Sequence, residues 1–137
     1  MKVLVPTDGS EHAMKAVQRA LEMAEKNGAQ VTLMSVAPYA PEILDEMTPR
    51  TQEKLEAETA GILRKARELF EKKGLKVDAV LETGQVPANN ILRRAEEGKF
   101  DRIVMGSTGR TGLAKILMGS TAAKVVAHAP CEVTIVR

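Results

Sequence analysis

Apolar positions along this chain recur in two periods that alternate from one end to the other. Short apolar runs read as strands: Val3-Leu4-Val5, Gln30 to Val36, Lys76 to Glu82, Arg102 to Met105 and Val133 to Val136. Between them, apolar residues recur at helical spacing. The first such set is Ala13, Val17, Ala20, Leu21 and Ala24. The second, from about Met47 to Lys73, carries Leu55, Ile62, Leu63, Ala66, Leu69 and Phe70. Ala88, Ile91, Leu92 and Ala95 make a short third helix, and Ala122 to Ala129, with Val125 and Val126, a fourth. Ser10 and Glu11 suit a helix start, and Asn27-Gly28 a left-handed stop. Gly74, Gly98 and Pro130 close the later helices, and Pro87 fits a first helical turn.

The predicted order is β-α-β-α-β-α-β-α-β. Apolar strands separated by amphipathic helices imply a parallel sheet covered on both faces. Right-handed crossovers make that a doubly wound α/β sandwich. With 137 residues and no linker, repeat or low-complexity segment, one domain over 1–137 is expected. The longest irregular piece, about Ala37 to Met47, is a candidate lid.

Composition narrows the function. Aromatic residues are 2% and Trp is absent, so the core must be aliphatic and stacking platforms for single-stranded bases are scarce. A net charge of +2 gives no footprint for nucleic acid or an anionic membrane. No stretch reaches the ~20 apolar residues of a membrane span. The N-terminal apolar run is too short for a signal-peptide core, so a cytoplasmic location is expected. Cys131 is the single cysteine; beside Val133-Thr134-Ile135-Val136 it reads as a buried, inert thiol.

Two loops carry candidate chemistry, and both leave C-terminal strand ends, where open α/β sheets bind ligands. One is Pro6-Thr7-Asp8-Gly9-Ser10. Asp8 suits ribose hydroxyls or a divalent ion beside phosphates, and equally a residue that closes the turn. The other loop contains Gly106-x2-Gly109-x9-Gly119-Ser120. Its glycines allow close backbone approach, and Ser120 and Thr121 offer hydroxyl and N–H groups at a helix start, as phosphate requires. The spacing is not that of the Walker P-loop, and taken alone it also suits an ordinary glycine-rich connection. Arg110 and Lys115 add positive charge or are simply solvated. His12 reads as a surface residue, and His128 is explained by the helix C-terminus.

Together, Val5-Pro6-Thr7-Asp8-Gly9-Ser10, the Gly84 loop before Pro87-Ala88, the Gly106-to-Ser120 pattern and Ala129-Pro130-Cys131-Glu132-Val133 resemble the universal stress protein family. The similarity covers essentially the whole chain. It implies an adenine nucleotide alpha hydrolase-like fold with strand order 3-2-1-4-5. It implies the ATP-binding branch, with Mg2+ or Mn2+, and a homodimer through the last strand, Val133 to Val136. Carried over by position, Pro6, Thr7 and Asp8 line the nucleotide site, with Asp8 facing ribose or the metal. Val36 reaches adenine through its backbone. Met105 and Gly106 lie beneath the nucleotide, Thr108 and Gly109 approach ribose and phosphate, and Gly119, Ser120 and Thr121 hold the phosphate chain. Thr108 stands where the family often has His, and Glu132 where Pro is frequent.

The implied function is a nucleotide-responsive regulatory or stress-response protein with an unidentified downstream protein partner. A slow ATP-hydrolysing enzyme is the alternative, although no second carboxylate, nucleophile or base is placed beside Asp8 by any motif. A dimeric scaffold that binds another adenine nucleotide, such as AMP or cyclic AMP, is a further one. A receiver-like module lacks the required acidic pair, and a scaffold without nucleotide leaves the glycine pattern unused.

Overall fold

Val3, Leu4 and Val5 are fully buried because their strand lies at the centre of a sheet with both faces covered. The computed structural model describes residues 1–39, 49–108 and 118–137. Its elements are β1 (Lys2–Pro6), α1 (Glu11–Asn27), β2 (Gln30–Pro38), α2 (Pro49–Glu71), β3 (Asp78–Gly84), α3 (Pro87–Glu97), β4 (Arg102–Gly106), α4 (Ser120–His128) and β5 (Glu132–Val136). The strands form one parallel sheet in the order β3-β2-β1-β4-β5. This is the doubly wound topology expected from the sequence. No described helix is long and apolar enough to cross a membrane.

Strand periodicity divides the core in two. Val3, Val5, Val31, Leu33 and Val104 pack on one face with Val17, Ala20 and Phe70 from α1 and α2. Leu4, Met34, Ile103 and Met105 pack on the other with Ile91 and Ala95 from α3 and Val125 from α4. Neighbouring residues of one strand thus serve opposite cores. Phe70 and Phe100 are the only phenylalanines, and aliphatic side chains fill most of both layers.

Helix boundaries follow local chemistry. Ser10 caps α1, its hydroxyl accepting from the Ala13 N–H at 3.4 Å, and Gly28 ends it at φ 69° with its N–H on the Ala24 carbonyl. Several boundaries move from the sequence reading. β3 starts and ends two residues later, because Lys76 is exposed and pairing with β2 begins at Asp78. α4 starts at Ser120 rather than Ala122. β2 runs on to Pro38, so Ala37 and Pro38 belong to a strand and not to the candidate lid. Residues 40–47 of that lid lie outside the described residues. Cys131 is half-buried rather than buried. Burial still pushes its thiol up, with Asp101 and Glu132 adding to the rise, so thiolate is scarce.

Two contacts anchor the layers. At Gly106 an added Cβ would lie 2.7 Å from the His12 carbonyl carbon and 2.8 Å from the Ala13 N, so β4 meets the first turn of α1 backbone to backbone. On the opposite side of the sheet, Glu82 of β3 holds α3. Its carboxylate accepts from Asn90 Nδ2 at 2.9 Å, Arg93 Nη2 at 2.6 Å, and Arg94 Nε at 2.8 Å. Burial raises the Glu82 carboxyl, but the Asn90 and Arg94 hydrogen bonds and the attraction of both arginines outweigh it, leaving it below the usual carboxylate range.

Gly106→Ala is expected to destabilise by about 2 kcal/mol, through overpacking against main chain that cannot rotate away; urea denaturation measures it. The lowered Glu82 carboxyl contributes stability that is complete above the unfolded value of about 4.3 and is lost as pH falls through the folded value. Glu82→Gln should therefore cost about 1 kcal/mol at neutral pH and little at about pH 3. Urea midpoints at both pH values test this; an equal deficit at both would deny the ionised clasp.

Candidate functional site

Strand order places the turn after β1 beside the end of β4, because β1 and β4 are neighbours while their crossovers leave on opposite sides. A cavity of about 320 Å³ opens there. Of the residues singled out in the sequence, Pro6, Thr7, Asp8, Val36, Met105, Gly106, Thr108, Gly119, Ser120 and Thr121 all line it. Gly109, with Arg110 and Lys115, lies outside the described residues.

The turn after β1 is closed by a set of hydrogen bonds. Thr7 is buried; its N–H donates to the Met34 carbonyl at 2.8 Å, and its own carbonyl accepts from Ser35 Oγ at 2.7 Å. The Gly9 N–H donates to Thr7 Oγ1 at 3.2 Å, and the Ser10 N–H to Asp8 Oδ1 at 2.9 Å. Gly9 sits at φ 80°, a left-handed conformation that suits glycine. Asp8 therefore closes the turn, one of the two readings weighed for it, and it also lines the cavity.

β2 shapes the opposite wall. Its pairing with β1 ends at Pro6 and Met34, yet β2 continues four residues further, paired only to β3. In a parallel ladder the N–H and C=O of one residue point to the same side, and the side alternates along the strand. The Met34 carbonyl points to the β1 side, where Thr7 N–H meets it. Two residues on, the Val36 N–H and C=O point the same way, past the end of β1 and towards the cleft. The floor is apolar: Met34, Ile91, Met105 and Ala122 continue the α3–α4 core into the cavity.

The third wall is the start of α4. The Gly119 N–H donates to the Ser107 carbonyl at 2.6 Å, and the Ser107 N–H to the Val136 carbonyl at 2.9 Å, so β5, β4 and α4 are tied together. The Gly119 N–H is thus committed to this tie. The first turn, Ser120-Thr121-Ala122, follows an N-cap that supplies no side-chain hydrogen bond. Such a turn presents N–H groups to an acceptor.

The sequence reading gave no site role to Ala13, Met34, Pro87, Ile91, Ser107 or Ala122, which also line the cavity. Most are core-type residues whose only signal is apolar spacing. His12 departs further from expectation: it is half-buried, not a surface residue, and its Nδ1 hydrogen-bonds Thr108 Oγ1. His128 is exposed in the last turn of α4. Among the described residues, no group of three or more His, Cys, Asp or Glu is placed to hold a metal ion.

Comparison with known proteins agrees with this architecture. The family model described as the universal stress protein family matches residues 1–137. A curated relative, universal stress protein MJ0531 of Methanocaldococcus jannaschii, is 36% identical over 139 residues, covering 99% of this chain and 81% of the relative. The solved structure of universal stress protein UspA from Lactobacillus plantarum superposes with a TM-score of 0.88 at 28% identity, covering 100% of this chain and 97% of that one. A solved universal stress protein in complex with cAMP superposes with a TM-score of 0.75 at 26% identity, covering 100% of this chain and 97% of that one.

Proposed function

We propose that this chain, which belongs to the universal stress protein family, binds an adenine nucleotide, ATP foremost, in the cleft beyond β1 and β4, and acts as a nucleotide-responsive regulatory protein. The observation that carries the reading is the pair of Val36 backbone groups aimed past the end of β1, over an apolar floor. One donor and one acceptor side by side complement adenine, which offers N6–H and N1; guanine presents the reverse pattern, O6 and N1–H. The cAMP-bound relative supports the same ligand class.

The remaining walls suit the rest of such a ligand. Thr7 and Asp8 lie where ribose hydroxyls would reach, and the first turn of α4 faces the phosphates with Ser120 and Thr121. Asp8 is the protein ligand we assign to Mg2+ or Mn2+. One carboxylate without a surrounding cage fits an ion shared with nucleotide phosphates, the usual coordination of Mg2+. The bound ion would offset phosphate charge, while Asp8 fixes its place against the turn. Occupancy, rather than turnover, is the output in this reading. A ligand shifts the protein only as far as it prefers one conformation over another. Because the family model spans 1–137, we read the chain as a single domain. We assign a homodimer to the outer edge of β5, where Val133, Thr134 and Ile135 are half-buried on an edge strand.

Isothermal calorimetry is expected to show saturable ATP binding, with GTP at least about tenfold weaker because it leaves the Val36 groups mismatched. Absence of saturation with every purine nucleotide at millimolar concentration would sink the proposal. Asp8→Ala is expected to weaken ATP binding more with Mg2+ present than with the ion chelated. Equal losses in the two conditions would remove the metal role from Asp8.

A further inference from the structure

The structure places an imidazole behind a cavity-lining hydroxyl, and nothing in the nucleotide reading uses it. His12 Nδ1 hydrogen-bonds Thr108 Oγ1 across 96 positions of sequence. Among the described residues, Thr108 lines the cavity and His12 does not, so the hydrogen bond to Thr108 links His12 to the cleft. The pair is held from both ends. The His12 main chain packs directly on Gly106, and the neighbouring Ser107 is tied to β5 and to the start of α4.

We propose that His12 is a positioning residue that couples anion binding in the cleft to proton uptake, by setting how the Thr108 hydroxyl presents itself to a phosphate. The proposal rests on the nucleotide reading above. The chemistry follows from the donor inventory of the two groups. A neutral imidazole whose Nδ1 carries a lone pair accepts the Thr108 O–H, leaving only hydroxyl lone pairs towards the ligand. An imidazolium has no acceptor. Its Nδ1–H donates to Thr108 Oγ1, which turns the hydroxyl proton outward to a phosphate oxygen, and its charge strengthens the chain of bonds. An anion in the cleft therefore favours the protonated ring, and protonation favours the anion. Imidazole is the side chain whose charge changes near neutral pH.

On α1, Glu11 pairs with Lys15 at 3.6 Å. In the preceding turn, Asp8 Oδ1 accepts the Ser10 N–H. Ile103 to Gly106 of β4, Ser107 after it, and Ser120 to Ala122 of α4 carry no titratable side chain. Arg137, after β5, lies along α1 beside Glu11 and Lys15. From α2, Ile62 packs against Gly9 in the turn before α1.

The test is calorimetric titration of ATP, with divalent metal chelated, into the wild type, His12→Asn and Thr108→Val. Asn offers Thr108 a hydrogen-bonding amide that does not titrate. Titration of the nucleotide's own phosphate is common to all three proteins and cancels in the comparison. Between about pH 8 and about pH 6, wild-type affinity should rise about five-fold more than that of His12→Asn, the gain of a charge-assisted over a neutral hydrogen bond. In buffers of different ionisation enthalpy, the wild type should take up more protons on binding than either variant. Thr108→Val should lose the extra pH dependence with His12 still present. Parallel pH profiles and equal proton uptake in all three proteins would overturn the coupling while leaving nucleotide binding intact. Failure of the wild type to bind any nucleotide would remove the nucleotide reading and this proposal together.

Discussion

Where β4 ends and α1 begins, main chain lies on main chain. No side chain can stand between Gly106 and the first turn of α1, since a single added carbon would fall 2.7 Å from the His12 carbonyl carbon. This contact does more than pack two elements. It sets the turn after β1, and with it Thr7 and Asp8, at a fixed distance from Ser107 and Thr108. The Ser107 carbonyl then receives the Gly119 N–H, which sets the start of α4. The described walls of the cleft are thus referenced to one backbone contact.

The apolar half of the cleft has a different origin. Met34, Ile91, Met105 and Ala122 belong to the α3–α4 core and reach the cavity because the sheet's C-terminal edge is uneven. β1 stops at Pro6 while β2 continues to Pro38. That difference in length exposes the Val36 backbone edge and leaves space over the core. α3 is kept against this edge by Glu82, whose three partners hold it ionised. A carboxylate with that many charge-assisted bonds restrains the helix that carries Pro87 and Ile91.

Much of the fold was legible in the sequence. Five apolar runs and four helical stripes were readable because burial on both faces, or along one stripe, leaves a periodic trace. Caps such as Ser10 and Gly28 were readable because each side chain or φ angle acts on its own neighbours. Boundaries slipped where neighbours decide. β3 begins at Asp78 because β2 pairs with it there, and Ser120 and Thr121 enter α4 although their composition suits a loop. Strand order was expected from family resemblance and not from periodicity.

For the site, the sequence by itself determined which turns carried usable chemistry: a carboxylate after β1, and glycines and hydroxyls after β4. That these turns share one site, with the Val36 backbone in it, was implied by family resemblance and not by residue spacing; the tertiary structure brings the turns and Val36 to one cleft and adds that His12 stands behind Thr108. Periodicity records which way a residue faces relative to its own element. It holds no record of which distant residue lies opposite. That is set by strand order, strand length and a close approach such as the one at Gly106, all of which depend on the whole chain being packed at once.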